Sequence, residues 1–236
     1  VRTGGLYDGN YGVMAGLEVV ATLRDAGLRP RRPIQVAFFT NEEGARFQPD
    51  MLGSLVLVGG LPLQQALAVP AVDNGALLGD ELQRIGYAGS APVGRPVVDS
   101  FVELHIEQGP VLEQQATAIG VVEGVQGICW MEFTFDGTSN HAGTTPMALR
   151  HDAGECAMRT AVFVAELVAR YGGRQLGTVG ALQLRPNLIN VIPNQAVMTV
   201  DLRNTDGQRL RDAQAEVLAF ARAMALRSGV QFQHRQ

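Results

Sequence analysis

The sequence predicts an α/β domain over residues 1–116, followed by an α+β domain over residues 117–236. Two observations carry this prediction. Up to about residue 116, a helical pattern alternates with short runs of strand-forming residues, and polar residues follow each run. From about Thr117 the predicted order becomes β-α-β-β-α-β, which describes a ferredoxin-like sandwich. The length of 236 residues suits one large or two ordinary domains.

The first domain is predicted to begin with a helix. Apolar residues recur at helical spacing over residues 10–27, and Gly27 provides a stop signal. Short apolar runs at 33–40 and 101–106 predict buried strands, each ending abruptly in polar residues. Pro110 follows the second run and can open another helix.

One long stretch, residues 51–72, contains no charged residue and has the length of a membrane span. Prolines, glutamines, glycines and a serine interrupt it, so we expect buried helix and loop and no membrane segment.

The second domain follows after a change of pattern. Its predicted elements are, in order, two strand-like stretches within 119–135, a helix over 152–171, strands over 178–184 and 188–202, a helix over 207–227 and a strand over 230–233.

Composition excludes several classes of function. The chain has no lysine, which excludes Schiff-base chemistry, pyridoxal phosphate attachment and a phosphate-binding lysine. The net charge is −4 and no basic cluster is longer than residues 29–32, so we expect no nucleic acid partner and a small ligand instead. Cys129 and Cys156 lack metal or redox spacing, which favours a cytoplasmic setting. Val1 is not a natural initiator, and we expect a piece of a longer protein.

Nucleophile and dinucleotide motifs are absent, so the candidate chemistry rests on carboxylates and histidines. Asp8 lies in a glycine-rich turn, Glu42 and Glu43 follow one predicted strand, and His105 ends another. Oxygen and imidazole ligands suit zinc or manganese. Neighbours in an extended segment point in opposite directions, so one glutamate can bind metal while the other acts as a base.

Each of these residues also has a structural explanation. Asp8 can be a helix cap, the glutamate pair a solvated loop, and His105 a hydrogen-bonded core residue. Taken singly, the structural explanations are favoured. Taken with their neighbours, they belong to five ordered segments, which are Gly4-Gly5-Leu6-Tyr7-Asp8-Gly9, Thr40-Asn41-Glu42-Glu43-Gly44-Ala45-Arg46-Phe47, Glu103-Leu104-His105-Ile106-Glu107-Gln108-Gly109-Pro110, Ser139-Asn140-His141-Ala142-Gly143-Thr144-Thr145-Pro146-Met147, and Asn190-Val191-Ile192-Pro193-Asn194-Gln195 through Asp201-Leu202-Arg203.

These segments resemble the hydantoinase/carbamoylase amidases of the M20 metallopeptidase superfamily. The resemblance implies a partial catalytic domain with a mixed sheet, and an inserted ferredoxin-like dimerisation domain. It implies two divalent ions per subunit, zinc, manganese or cobalt. Asp8 would bridge them, Glu43 would bind one and His105 the other, while Glu42 would be the general base. His141 would act in catalysis from the partner subunit of a homodimer.

The same resemblance implies that Gln108, Asn190 and Arg203 bind the substrate, a small ureido carboxylate. For Arg203, a surface ion pair on a strand is the explanation that the residue alone favours. The stretch 120–127, followed by Trp130, resembles the carbamoylases and favours N-carbamoyl-L-amino acids over N-carbamoyl-β-alanine or allantoate. Two further metal histidines of the family fall outside this chain, so a non-catalytic dimerisation or ligand-binding fragment is the alternative from a different class.

Overall fold

The computed structural model describes residues 5–94 and 96–236, and Gly4 of the first motif lies outside the described residues. The protein is of mixed α/β class with an antiparallel sheet. It divides into two compact units, one ending at Ile119 and the other beginning at Gly120. The assignment of the predicted domains 1–116 and 117–236 to these units stays a prediction. No helix in the described ranges is long and apolar enough to cross a membrane.

The first unit contains helices and loops among its described residues. Its helices are α1 (Asn10–Asp25), α2 (Leu52–Leu57), α3 (Leu63–Leu67), α4 (Leu78–Arg84) and α5 (Val111–Gln114). The uncharged run at 51–72 forms helix and loop, as predicted. A small core of buried apolar residues connects α2, α3 and α4 to the preceding loop, and comprises Phe47, Leu52, Val56, Ala66, Ala71 and Leu78.

The two strands predicted in this unit are not found. Residues 33–40 and 101–106 belong to no sheet among the described residues, and Phe38 and Phe101 are exposed. An apolar run predicts burial, but a strand also needs a neighbour that pairs with it, and no described segment of this unit does so. Helix α1 packs directly on both runs. A Cβ atom at Gly12 would lie 2.6 Å from the carbonyl oxygen of Leu104, so that only glycine permits this approach.

The second unit contains a five-stranded antiparallel sheet and two long helices. Its elements are β1 (Gly127–Asp136), α6 (Ala153–Tyr171), β2 (Leu176–Thr178), β3 (Leu182–Arg185), β4 (Gln195–Asn204), α7 (Gly207–Arg227) and β5 (Gln231–Arg235). The strand order is β2-β4-β1-β5, and β3 also pairs with β4. With β2 and β3 counted as two pieces of one strand along β4, the order β-α-β-β-α-β is the one predicted.

Three predicted boundaries in this unit are wrong. Residues 119–126 are not a strand, so one strand, β1, replaces the two expected stretches. The strand predicted over 178–184 is split, and the one predicted over 188–202 begins at Gln195. Pro193 lacks a backbone donor, and residues 188–194 turn instead of joining the ladder. The helix boundaries were predicted more closely from the apolar spacing. In the structure Asp152 and Asp206 cap α6 and α7 as hydrogen-bond acceptors.

The core lies between one face of the sheet and the two helices. Alternate residues of β1 and β4 are buried, and they pack with the apolar stripes of α6 and α7. Phe133, Phe135, Met198 and Leu202 are fully buried in this layer. The intervening residues of the same strands point to the opposite face, on which neither α6 nor α7 packs. That open face holds Arg203.

Candidate functional site

In the first unit, the turn before α1 brings Asp8 to His105 and Gln108. The side-chain amide of Gln108 donates a hydrogen bond of 2.6 Å to Oδ2 of Asp8, and Oδ1 lies 3.3 Å from Nε2 of His105. Nδ1 of His105 donates to the carbonyl oxygen of Ile106 over 2.7 Å. The structure thus brings together three residues that the sequence singled out, although Asp8 is about 100 residues away from the other two.

The proton on Nδ1 determines what the other ring nitrogen can do. In neutral His105, Nε2 holds a lone pair, and it faces a carboxylate oxygen of Asp8 that also holds one. Two such atoms repel each other unless a proton or a cation lies between them. Ligands 2.0–2.1 Å from one tetrahedral zinc ion are separated by about 3.3 Å. The observed separation of 3.3 Å therefore fits a shared cation as well as a protonated imidazole.

A locked turn presents Glu42 and Glu43. The side-chain amide of Asn41, which has a positive φ of 56°, donates to the carbonyl oxygens of Phe47 (2.7 Å) and Pro49 (3.2 Å). The amide of Met51 donates to the carbonyl oxygen of Glu42 over 2.7 Å. These bonds hold the backbone of the turn while both glutamate side chains remain exposed.

Glu42 has an altered acidity. Although Glu42 is exposed as a residue, partial desolvation of its carboxyl raises the pKa above the ordinary value. The negative charges of Glu43, Asp8 and Asp50 raise this pKa further, and His105 lowers it. These charges therefore act on one another within a single small region. A carboxylate with a raised pKa accepts a proton more readily, which is the property a general base needs.

The predicted metal ligands do not form a complete set. Over residues 5–94 and 96–236, no three His, Cys, Asp or Glu side chains are arranged to hold a metal ion. Asp8 and His105 meet, whereas Glu43 shares their electrostatic region without completing a group of three. The roles of Asp8, Glu43 and His105 as ligands of two ions therefore stay predictions. The chemistry of the donors, carboxylate oxygen and imidazole nitrogen, still suits a divalent cation.

In the second unit, His141 and Asn190 lie on neighbouring segments. His141 pairs with Val191 as an isolated bridge, and the amide of Ala142 donates to the carbonyl oxygen of Asn190 over 2.9 Å. Nδ1 of His141 accepts a hydrogen bond of 3.1 Å from the amide of Gly143. Neutral His141 therefore carries its proton on Nε2, which leaves that nitrogen as a donor on an exposed residue.

Arg150, which was not predicted from the sequence, stabilises the turn after His141. Its Nε donates to the carbonyl oxygen of Thr145 over 3.0 Å, and its Nη2 to that of Ala142 over 2.6 Å. Thr145 in turn donates its hydroxyl to the carbonyl oxygen of His141 over 2.8 Å. No pattern in the sequence signalled this role, because it depends on backbone carbonyls that the sequence does not mark.

Arg203 lies on the open face of the sheet and pairs with Asp201. Nε and Nη2 donate to the Asp201 carboxylate over 3.1 and 2.9 Å, and this hydrogen bonding raises the pKa of the guanidinium. The ion pair that the residue alone favoured is thus present. It occupies one edge of the guanidinium. Among the described residues, no hydrogen bond is found at Nη1, which leaves the outer edge available to an anion.

Other candidate features carry no chemistry of this kind. Burial raises the pKa of the Cys129 and Cys156 thiols, which makes both poor nucleophiles. Two clefts of about 520 and 600 Å³ lie in the first unit, one beside the end of α1 and one along residues 35–40. Neither is lined by a predicted site residue.

This chain is similar to one peptidase family and to proteins named as amidohydrolases. The family model for peptidase family M20/M25/M40 matches residues 3–234. An "N-carbamoyl-L-amino-acid amidohydrolase" from Rhizobium meliloti is 42% identical over 97% of this chain and 55% of that protein. An "Allantoate amidohydrolase" from Escherichia coli K12 is 35% identical over 90% of this chain and 52% of that protein.

A solved structure is also similar to nearly the whole of this chain. The crystal structure of an amidase of the hydantoinase/carbamoylase family from Burkholderia multivorans superposes with a TM-score of 0.93 at 44% identity, covering 99% of this chain and 57% of the other. The chain thus spans little more than half the length of the proteins it matches.

Proposed function

Because the chain belongs to the M20/M25/M40 peptidase family, we propose that the protein is a metal-dependent amidohydrolase acting on N-carbamoyl-L-amino acids. The observation that carries the proposal is the approach of Asp8 to Nε2 of His105, beside a glutamate with a raised pKa. The name of the relative that is 42% identical supports the choice of substrate.

Divalent ions are part of this proposal. Amidohydrolases of this family are generally dependent on divalent metal ions. Asp8 would bridge two ions of zinc, manganese or cobalt, with Glu43 and His105 each holding one. When bound, such ions acidify water and polarise the carbamoyl carbonyl. Gln108, which donates a hydrogen bond to Asp8, keeps that carboxylate oriented. Its side chain would also line the substrate-binding site beside the ions.

The protein's own groups move the protons. Glu42 accepts a proton from water as the water oxygen attacks the carbamoyl carbon, and passes it to the departing amino nitrogen when the C–N bond breaks. The products are the free amino acid and carbamate, which decomposes to ammonia and carbon dioxide. His141 donates a hydrogen bond from Nε2–H to the oxyanion of the tetrahedral intermediate, the role for which its tautomer is suited.

Arg203 and Asn190 would bind the rest of the substrate. The outer edge of the Arg203 guanidinium can form two parallel hydrogen bonds to the substrate carboxylate. Asp201, by holding the opposite edge, fixes the plane of that fork. Asn190 supplies an amide that can donate to the ureido oxygen or accept from its nitrogen.

We also propose that the protein is a homodimer through its second unit, with His141 acting in the active site of the partner subunit. The support is that β5 and the β2/β3 pair are edge strands, whose outer backbone groups a two-fold copy can satisfy. For localisation we propose the cytoplasm, supported by two cysteines that form no disulfide.

Two alternatives have specific support. Allantoate and N-carbamoyl-β-alanine are also ureido carboxylates, and the 35% identical relative is named for allantoate. A ligand-binding protein without catalysis would explain why no three-residue ligand group is found over the described ranges. The first alternative concerns specificity and the second concerns catalysis, so one assay separates them.

The experiment is an ammonia-release assay on a protein that contains this chain and spans the length of the relatives. After chelation we expect no turnover, and after addition of zinc, manganese or cobalt we expect hydrolysis of N-carbamoyl-L-amino acids in preference to the other two substrates. Preference for allantoate would overturn the choice of substrate. Binding of these compounds without any ammonia release, with each metal supplied, would overturn the enzymatic proposal.

A further inference from the structure

The open face of the sheet is apolar around Arg203. Ile128 on β1 and Leu176 on β2 lie directly opposite Arg203 in the two neighbouring ladders. Trp130 lies opposite Asp201, one row further along the same face. These three apolar side chains are 53%, 49% and 64% exposed. The guanidinium therefore stands between exposed apolar side chains on both adjacent strands.

Apart from Val197, the rest of this face is polar, so the cluster of large apolar side chains is local. Beyond the row of Trp130, Glu132 forms an ion pair with Arg235 at 2.9 Å. Further along, Gln195 donates its side-chain amide to Asp136 over 2.8 Å. A face that merely tolerated exposed apolar residues would not place all three large ones next to the same arginine.

We infer that Ile128, Leu176 and Trp130 form the binding site for an apolar side chain of the substrate whose carboxylate Arg203 holds. The inference rests on the proposed function and deepens it, because it names the substrate class as ureido derivatives of amino acids with apolar side chains. In an α-amino acid the side chain and the carboxylate share one carbon atom. A side chain attached so close to the guanidinium must lie over its lateral neighbours, which in a sheet are about 5 Å away.

The same arrangement selects against the other ureido acids. N-carbamoyl-β-alanine has no side chain, so it would leave the apolar residues exposed and gain nothing from them. Allantoate carries a second ureido group in place of a side chain. Its amide groups would lose water against Ile128 and Trp130 without finding partners there, which disfavours binding.

The test is the ratio of kcat/KM for N-carbamoyl-L-leucine to that for N-carbamoylglycine, measured on the metal-loaded full-length protein. Ile128→Ser and Trp130→Ser should each lower this ratio about tenfold, the equivalent of one to two buried methylene groups. The glycine substrate should change less than about twofold, because it does not reach these residues. Val197→Thr is the matched control, since Val197 lies on the same face of β4 as Arg203 but six residues away, about 20 Å.

Binding gives a second readout that does not depend on turnover. Trp130 is the single tryptophan of the 236 residues, and the difference in emission between the wild type and Trp130→Phe isolates its signal. We expect N-carbamoyl-L-leucine to shift this emission to shorter wavelength and N-carbamoylglycine to leave it unchanged. A shift with leucine alone supports the inference even if no metal restores turnover.

The outcomes separate this inference from the proposed function. If no ureido acid is hydrolysed, the proposed function fails. If ureido acids are hydrolysed but the leucine-to-glycine ratio is near one in the wild type, or is unaffected by both serine substitutions, the proposed function stands and the apolar site is overturned. An equal loss in Val197→Thr would also overturn it, because the effect would then not depend on proximity to Arg203.

Discussion

Substitution of Arg150 by methionine should loosen the turn that carries His141. The guanidinium donates to the carbonyl oxygens of Ala142 (2.6 Å) and Thr145 (3.0 Å), which lie on either side of this turn. Both carbonyl-bearing residues are half-buried, so water replaces part of the lost bonding. With about 1 kcal/mol for each bond, the ordered turn loses about 2 kcal/mol, which is about a thirtyfold change in its opening equilibrium.

Amide hydrogen exchange measures this opening directly. The amides of Gly143 and Thr145 donate to His141, so their exchange should accelerate up to about thirtyfold in Arg150→Met. Exchange along α6 should not change. Arg150→Lys should give an intermediate effect, because a single ammonium does not reproduce the planar fork. In the full-length protein, kcat/KM should fall with the population of the ordered turn.

The matched control is Arg159→Met, which removes an exposed arginine whose partner is Glu155 on the same helix. That ion pair is solvated, and its loss should leave exchange in the His141 turn unchanged. The reasoning is refuted if Gly143 and Thr145 exchange at wild-type rates in Arg150→Met, or if the control accelerates them equally. The first result would mean that other contacts determine the turn.

Further predictions concern the base, the carboxylate, the dimer and packing. Glu42→Gln should keep the metals, measured by elemental analysis, and lose most turnover; near wild-type rates would exclude Glu42 as the base. Arg203→Lys should weaken binding of carbamoyl amino acids far more than it lowers the unfolding temperature, and an equal loss for an amide analogue without the carboxylate would contradict this. Mixed His141→Ala and Glu42→Gln subunits, each inactive alone, should recover up to about half the wild-type activity per hybrid dimer, and no recovery in proven hybrids would mean that His141 does not serve the partner. Gly177→Ala should destabilise the chain by about 1–3 kcal/mol in chemical denaturation, because its Cβ would lie 2.7 Å from Cγ2 of Val168, whereas Gly180→Ala should be tolerated.

Local patterns predicted the second unit well because its elements obtain their partners from each other. The apolar stripes of α6 and α7 lie within the sequence of each helix, so periodicity locates them. The runs at 33–40 and 101–106 have equally clear strand composition. Their failure to form strands follows from the lack of a pairing segment, a non-local property that composition does not contain.

The candidate site was predictable in its residue types but not in its contacts. The glycine-rich turn at Asp8, the end of a predicted strand at His105 and the five motifs indicated these residues, whose roles as metal ligands stay predictions. Their approach to 3.3 Å depends on α1 lying against residues 101–106, which Gly12 makes possible. Arg150 acts through two backbone carbonyls, and Asp201 acts through the side chain of Arg203. Such supporting contacts depend on the fold and are not marked in the sequence.

Strand β4 also restricts how the length of this protein can change. All ten of its residues are in register with β1, and β2 and β3 hold it from the other side. Inserting or deleting one residue between Gln195 and Arg203 would reverse the facing of part of the strand. Either Arg203 would enter the core beside Cys129, or Leu202 would leave it. Insertions and deletions are therefore excluded from the strand itself.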